Sequence, residues 1–213
     1  MNRIINPISK KLVLGTAQIG SNYGITNKKK ITYKESREIF DFCEKNNFIK
    51  LDTAINYKDS EKIIGSLINK KWKINTKLPK YNVKTNLVQN VNKWVRNLTF
   101  NSLSRLNVKS LNCMYIHDSN SILNIHGEKI YNSLIELKEE KIIDNIGISV
   151  YSPKELDEVL KQFNFDYVQI PINILDQRFL EDDYLVKLSS KDIFIQARSV
   201  FLQGLLLLTK KEL

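Results

Sequence analysis

Short apolar runs alternate with stretches of helical periodicity along most of the chain. The first apolar run, residues 12–17, is broken by Gly15, which predicts a buried strand that bends sharply into a loop. Thr32 and Glu35 then form a capping-box pattern ahead of an apolar stripe, which predicts a helix over about 33–46. The order of strand, loop and helix recurs after this unit, and such alternation favours a parallel sheet covered by helices.

Six more strands are predicted further along the chain, at residues 50–54, 73–78, 111–117, 145–149, 167–171 and 193–199. Helices are predicted over about 60–69, 86–106 and 128–141, and another begins at Pro153 after a capping box of Ser152 and Glu155. The segment between the sixth and seventh strands is less regular. Seven strands in this order favour an α/β fold of the (β/α)8 TIM-barrel type, with about seven β/α units.

The length of the sequence bears on whether this barrel is complete. Such barrels typically need about 250 residues, whereas this chain has 213. The residues after the seventh strand are too few for an eighth strand and its helix. We therefore expect a single barrel domain over residues 1–213 that lacks the last strand-helix unit at its C-terminus. A parallel sheet that lacks a strand leaves edge backbone groups unpaired, so we also expect self-association through the open edges.

Composition narrows the classes of function. The net charge is +10, but the lysines are dispersed and no nucleic-acid-binding motif is present, so we expect no nucleic-acid partner. Cys43 and Cys113 lack the spacing and neighbouring histidines of a metal site, so we expect reduced thiols and no metal. The sequence has neither a signal-peptide core nor an apolar run that could span a bilayer, which predicts a cytoplasmic protein with no membrane partner.

Candidate catalytic side chains lie at the ends of three successive predicted strands. Asp52 ends the second strand and is followed by Tyr57, Lys77 ends the third, and His117 ends the fourth. We call these four residues the tetrad. In a β/α barrel the carboxyl ends of all strands face one site, so the tetrad side chains are expected to meet there.

The tetrad suits the reduction of a carbonyl group by hydride. A phenol has an ordinary pKa of about 10, so its use as a proton donor near neutral pH requires a neighbour that stabilises the phenolate, and Lys77 is the natural neighbour. Asp52 would hold that lysine in place and keep it charged. His117 would donate a hydrogen bond to a substrate carbonyl and help to orient it.

On these four residues the sequence resembles the aldo-keto reductase superfamily of barrel enzymes. The Asp and Tyr of that family correspond to Asp52 and Tyr57, its third-strand Lys to Lys77, and its fourth-strand His to His117. The resemblance implies NAD(P)H-dependent reduction of an aldehyde or ketone to an alcohol, with Tyr57 as proton donor and a small carbonyl compound as substrate. It favours NADPH over NADH as the cofactor.

The resemblance also implies a set of cofactor-binding residues at the strand ends. They are Gly15 and Thr16 in the first-strand turn, Ser149 and Gln169 where the family contacts the nicotinamide carboxamide, and Arg198 and Ser199 where many members carry a stacked aromatic residue. An arginine at that last position could lie over the nicotinamide ring or reach a phosphate.

The chain departs from the family pattern in three places. Val150 stands where Asn is usual beside the carboxamide Ser, and Lys58 follows Tyr57 where Gly is usual. The region around strand 8, which binds the adenosine ribose and its 2′-phosphate in the family, is absent. We therefore expect weak NADPH binding and slow or no turnover by this chain.

Two other interpretations remain open. The first is a truncated, catalytically weak or inactive remnant that acts only as a binding or structural protein, and titration with cofactor would distinguish it. The second is a Schiff-base barrel enzyme with Lys77 as the nucleophile, although that chemistry does not explain the spacing of Asp52 and Tyr57. The sequence leaves the identity of the carbonyl substrate open.

Overall fold

The sheet is built from strands that pair in the order of the chain. The computed structural model describes residues 9–25, 30–69, 71–82 and 90–209. Within these ranges seven strands form one sheet, and all neighbouring pairs are parallel. The strands are β1 (Leu14–Gly15), β2 (Lys50–Asp52), β3 (Lys73–Leu78), β4 (Cys113–Ile116), β5 (Ile146–Ser149), β6 (Tyr167–Pro171) and β7 (Phe194–Arg198).

Helices separate the strands, as the alternating pattern predicts. They are α1 (Tyr33–Lys45), α2 (Ser60–Leu67), α3 (Val91–Leu106), α4 (Gly127–Glu139), α5 (Pro153–Leu160) and α6 (Tyr184–Ser189). The short α6 lies in the segment that the sequence predicts to be less regular. Of the helices in the described ranges, none has the length and apolar character needed to cross a bilayer.

The predicted strands are found, with differences at their ends. Strands β3 and β6 have the predicted bounds. Strand β1 is shorter than the predicted run 12–17, because its ladder with β2 holds only Leu14 opposite Leu51 and Gly15 opposite Asp52. The predicted start of the third helix at residue 86 lies outside the described residues. In the described part, α3 begins at Val91.

Local capping explains where two of the helices begin. Ahead of α1, the Glu35 N–H donates to Thr32 Oγ1 at 3.2 Å and the Thr32 N–H donates to Glu35 Oε2 at 2.7 Å, so the predicted capping box is complete. Ahead of α5 only half of the predicted box forms, since Ser152 accepts from the Glu155 N–H while the Glu155 carboxylate accepts from the Tyr151 N–H. That shift ties the cap of α5 to the loop after β5.

Polar side chains cross the inner face of the curled sheet. Gln196 Oε1 of β7 accepts hydrogen bonds from Asn75 of β3 at 3.0 Å and from the Tyr115 hydroxyl of β4 at 3.1 Å. These strands are not neighbours in the sheet, so the bonds span the interior. Gly147 of β5 leaves room for the Tyr115 ring, because a Cβ at this position would lie 2.5 Å from it. The curl is therefore filled by side chains, as in a closed barrel.

Strands β1 and β7 form the two edges of the sheet in the described part of the chain. Each has one strand partner, β2 and β6 respectively. Phe194 on β7 is 62% exposed although its ring stacks on Tyr167. Beyond the strands, the Ile25 N–H donates to the Gln203 carbonyl at 3.3 Å, so the loop after β1 contacts the segment after β7.

A buried carboxylate joins α2 and α3 to the sheet directly beside the tetrad. Glu61 in the first turn of α2 is 1% exposed. It accepts hydrogen bonds from Thr76 of β3 at 2.6 Å and from Ser102 of α3 at 3.2 Å, and it pairs with Arg105 of α3 at 2.6 Å. Thr76 precedes Lys77 on β3, and successive side chains of a strand point to opposite faces of the sheet. The Glu61 cluster therefore fixes the outer face of β3 directly beside Lys77 of the tetrad.

We expect Glu61→Gln to lower the free energy of unfolding by about 2–3 kcal/mol, because Arg105 would keep its charge while losing its buried partner. Chemical denaturation followed by circular dichroism measures this change. Glu38→Gln, which alters an exposed glutamate of α1, is the control and should change the free energy by less than about 0.5 kcal/mol. Equal losses in the two variants would contradict the structural role of the cluster.

Candidate active site

The four tetrad residues lie at the carboxyl ends of three neighbouring strands. Asp52 is the last residue of β2, Lys77 lies one residue before the end of β3, and His117 follows β4. Tyr57 lies in the turn before α2, where its N–H donates to the Ala54 carbonyl at 3.0 Å. The parallel register of these strands brings the tetrad to one end of the sheet, as the sequence predicts.

Asp52 and Lys77 form a buried ion pair. Lys77 Nζ donates to Asp52 Oδ2 at 2.5 Å and to the Thr53 carbonyl at 2.7 Å, and the lysine side chain is 1% exposed. The pairing expected from the sequence is therefore confirmed. A buried ammonium requires such partners, because burial without them would cost several kcal/mol, roughly the penalty for one unpaired ion.

The Tyr57 ring lies beside this ion pair. Its centroid is 5.5 Å from Lys77 Nζ and 6.2 Å from the centroid of the His117 ring, which it meets edge to face. Burial raises the pKa of Tyr57 above its ordinary value, and the negative charge of Asp52 raises it further. The phenol therefore carries its proton at neutral pH.

The electrostatic surroundings of Tyr57 differ from the sequence expectation. Lys77 is predicted to be the cation that stabilises the phenolate, yet its ammonium is bound to Asp52, whose charge acts in the opposite sense. Among the causes that act on the pKa of Tyr57, Arg198 of β7 opposes the rise. Its position near the tetrad depends on the curl of the sheet, which the order of residues along the chain does not reveal.

His117 is held in its neutral form. Burial lowers its pKa, and the nearby positive charge of Lys77 lowers it further, to about 4. A neutral imidazole carries one N–H, so at neutral pH His117 can donate one hydrogen bond without adding a charge to the site.

Ser149 and Gln169 connect to the tetrad through a chain of hydrogen bonds. They stand opposite each other in the register of β5 and β6, and both are buried. Ser149 Oγ donates to Gln169 Oε1 at 3.4 Å, and Gln169 Nε2 donates to Asp52 Oδ1 at 2.8 Å. Asp52 is therefore held by side chains of both β3 and β6.

Gly15 and Thr16 lie at the end of β1, beside Asp52. The Thr16 hydroxyl donates to the Asp52 carbonyl at 2.9 Å and the Thr16 N–H donates to the same oxygen at 3.0 Å. Gly15 borders open space, since a Cβ at this position would meet no atom within 4 Å. Thr16 thus fixes the strand end while Gly15 leaves the surface next to Asp52 open.

Arg198 and Ser199 lie at the end of β7. Arg198 donates to the Val150 carbonyl at 3.2 Å and to Ser199 Oγ at 3.3 Å, and its guanidinium carbon is 4.2 Å from the centroid of the Tyr151 ring. Arg198 Nε is buried and has no hydrogen-bond partner among the described residues. The guanidinium therefore keeps an unused donor at the site.

Two tyrosines that the sequence does not assign to the site lie at its mouth. Tyr151 covers the guanidinium of Arg198, and its position two residues after the end of β5 is a signal that the sequence offers. Tyr23 lies in the loop after β1, where burial and then the nearby phenol of Tyr57 raise its pKa. Nothing in the local sequence of that loop indicates this contact.

The departures from the family pattern have simple structural descriptions. Lys58 adopts a φ of 48°, in the left-handed region that favours glycine, so the backbone turn after Tyr57 is kept without that residue. Val150 is buried and contributes its carbonyl to Arg198.

Comparison with known protein families gives a match over nearly the whole chain. The model described as "Aldo/keto reductase family" matches residues 11–212 of the chain. A search of curated protein sequences found no match.

Solved structures similar in fold to this chain include aldo-keto reductases. One from Pseudomonas aeruginosa has a TM-score of 0.70 at 20% identity, over 87% of this chain and 71% of its own. One from Bacillus halodurans, in its holo form, has a TM-score of 0.72 at 20% identity, over 92% and 63%. One from Bombyx mori, in complex with NADP, has a TM-score of 0.66 at 18% identity, over 88% and 62%.

At these identities the likeness to solved structures shows the fold alone. It confirms the predicted fold class, a (β/α)8 barrel type, of which the described residues hold seven strands. The family model extends over nearly the whole chain and shows more than the fold. The chain belongs to the aldo/keto reductase family.

Proposed function

We propose that this protein is an NADPH-dependent oxidoreductase that reduces a small aldehyde or ketone to an alcohol. The observation that carries the proposal is the buried ion pair of Lys77 and Asp52 with Tyr57 and His117 beside it. A protonated phenol and a neutral imidazole at one strand-end site are the groups that a carbonyl oxygen requires as negative charge develops on it.

Tyr57 is the proton donor in this proposal. Its raised pKa keeps the proton on the phenol until the carbonyl oxygen becomes basic, and the proton then moves from Tyr57 to that oxygen. NADPH, when bound, supplies the hydride that adds to the carbonyl carbon. The Tyr57 phenolate regains its proton from solvent after the alcohol has formed, and Arg198 is the cation that opposes the rise in its pKa.

His117 orients the carbonyl group. Because its pKa lies near 4, the imidazole is neutral at the working pH and directs a single N–H toward the substrate oxygen. It therefore stabilises developing charge by a hydrogen bond and does not compete with Tyr57 as the acid.

The cofactor would be held by residues at the ends of β1, β5, β6 and β7. Two observations indicate that these residues suit a nicotinamide cofactor. Arg198 Nε is buried without a partner among the described residues, and the surface at Gly15 is open. NADPH is preferred over NADH in this proposal because the 2′-phosphate adds negative charge and the chain carries a net charge of +10. The residues proposed to bind it are Gly15, Thr16, Ser149, Gln169, Arg198 and Ser199.

The proposal extends to the organisation of the chain. We treat residues 1–213 as one barrel-type unit and propose that it self-associates through the edges formed by β1 and β7, which sedimentation velocity would show as a mass that rises with concentration. A cytoplasmic location also stays a prediction, supported by the free, buried thiols of Cys43 and Cys113.

The alternative functions are less well supported. A Schiff-base mechanism needs an amine that is free to attack, whereas Lys77 Nζ is bound to Asp52 and to the Thr53 carbonyl. A purely structural or binding role predicts no effect of carbonyl compounds on cofactor oxidation, so it is separated from the proposed function by the experiments below.

In a version of the chain extended to eight strands, we expect Tyr57→Phe to reduce the turnover number for carbonyl reduction by about a hundredfold or more, because the proton donor is removed. The affinity for NADPH should stay within about twofold, since the ring remains. Steady-state oxidation of NADPH and fluorescence titration measure the two quantities.

Tyr23→Phe is the matched control for this substitution, because it removes a second phenol at the same mouth. Its turnover should stay within a few-fold of the unmodified protein, roughly the effect of a lost peripheral contact. Unimpaired turnover in Tyr57→Phe, or a larger loss in Tyr23→Phe, would refute the assignment of the proton donor.

We expect His117 to make the fold more stable at neutral than at acidic pH. Its pKa is 6.5 in the unfolded chain and about 4 in the folded one, so the unfolded state binds the proton first as the pH falls. The contribution of His117 to the free energy of unfolding is therefore fully present above pH 6.5. It is lost as the pH falls toward 4, by up to about 3 kcal/mol.

Urea unfolding of the unmodified protein and of His117→Asn at several pH values in this window measures the effect. The difference in free energy of unfolding between the two proteins should change with pH in the stated direction. A difference that is constant across the window would show that His117 is not held neutral by the fold.

We expect NADPH to bind a few-fold more tightly than NADH, because the net charge of +10 attracts the additional negative charge of the 2′-phosphate. Titration followed by nicotinamide fluorescence measures both affinities, and each complex is then mixed with a carbonyl compound. Binding without carbonyl-dependent oxidation would favour the structural or binding role, and equal affinities would contradict the NADPH preference.

A further inference from the structure

A polar cleft of about 270 Å³ lies next to His117 at the mouth of the candidate site. Its other lining residues come from the segments that follow β2, β3, β4 and β5, including the first turn of α5, so it faces the same strand ends as the tetrad. None of these residues is aliphatic. They are Asn56, Lys80, Asp118, Asn120, Tyr151 and Glu155.

The two carboxylates of the cleft are occupied by the protein itself. Asp118 Oδ1 accepts from the backbone and side-chain nitrogens of Asn120 at 2.8 and 2.9 Å, and Asp118 Oδ2 lies 3.2 Å from Lys80 Nζ. Glu155 accepts from the Ser119 hydroxyl and, at 2.7 Å, from the Tyr151 N–H. These contacts fix the walls of the cleft in position.

Several polar groups of the cleft remain available to a ligand. The Lys80 side chain is 63% exposed, and Asp118 is its one carboxylate partner within the described ranges. The Asn56 amide has no hydrogen-bond partner among the described residues, and it belongs to the residue next to Tyr57. The cleft therefore offers an ammonium and a carboxamide close to the position of the reacting carbonyl.

We propose that this cleft selects short, uncharged, hydroxylated carbonyl compounds, with Lys80 and Asn56 as the residues that recognise the hydroxyl groups. The inference rests on the proposed function and narrows its substrate class. An apolar chain would strip water from these polar groups without replacing its hydrogen bonds. Among the residues that line the cleft, an anion would meet two carboxylates, Asp118 and Glu155, against the single ammonium of Lys80.

Three ketones with the same number of non-hydrogen atoms test the inference: dihydroxyacetone, 3-pentanone and pyruvate. Each is titrated into the full chain labelled with ¹⁵N, and binding is followed by the side-chain amide signals of Asn56 and Asn120. This readout registers binding even where no hydride is transferred. We expect dihydroxyacetone to bind at least about tenfold more tightly than either of the other two, the advantage of one well-made hydrogen bond to a charged group.

Two lysine substitutions localise the preference. Lys80→Met should reduce the advantage of dihydroxyacetone over 3-pentanone to about twofold, because the hydroxyl partner is lost while the side-chain length is kept. Lys109→Met is the matched control, since Lys109 is exposed before β4, at the opposite end of the sheet from Lys80. It should leave the advantage unchanged.

Tighter binding of 3-pentanone or pyruvate, no signal change at the cleft with any ketone, or an advantage that survives in Lys80→Met would each overturn the inference. A parallel assay of NADPH oxidation with the same ketones keeps the two proposals apart. Absence of oxidation with all three would count against the proposed function, whereas the order of binding affinities decides the selectivity of the cleft.

Discussion

The buried ammonium of Lys77 constrains the carboxyl end of the sheet, where the tetrad lies. The Lys77 side chain is only 1% exposed, so its charge requires a buried partner. Asp52 is the carboxylate that pairs with it. The other oxygen of Asp52 accepts from Gln169. One carboxylate thereby joins β2 to β3 and, across the curl, to β6. The requirement to satisfy a buried ion and the requirement to assemble a site are met by the same contacts.

This arrangement also sets the protonation states on which any chemistry would depend. The charge of Asp52 adds to the effect of burial on Tyr57, while the charge of Lys77 adds to the effect of burial on His117. The phenol consequently keeps its proton and the imidazole loses its own. An acid with a strongly held proton beside a neutral donor is suited to a substrate oxygen that becomes basic only as it reacts.

Local rules account for what could be predicted from the sequence. Apolar runs bounded by turn signals located β3 and β6, and the strand ends identified the tetrad, because parallel register alone brings such ends together. Contacts that depend on the curl could not be read in this way. The bond from Gln169 to Asp52, the effect of Arg198 on Tyr57 and the position of Tyr23 each join segments far apart in the chain. The Glu155 side chain illustrates a second limit, since a cap motif does not show which of two nearby N–H groups the carboxylate binds.

The hydrogen bonds of Gln196 have a consequence for the order in which the chain folds. The residue that it joins on β3, Asn75, is 121 positions away in the sequence. Closing so long a loop is entropically unfavourable until other contacts hold the ends near each other, so contacts of this kind form late and slow the folding of α/β domains. Pairing of β1 to β4 requires only local closures, and it can be complete while β7 is still being synthesised. Until β7 is synthesised and pairs with β6, the inner face of the partly formed sheet presents the polar groups of Asn75 and Tyr115 to water. Less apolar surface is therefore exposed at this stage of folding.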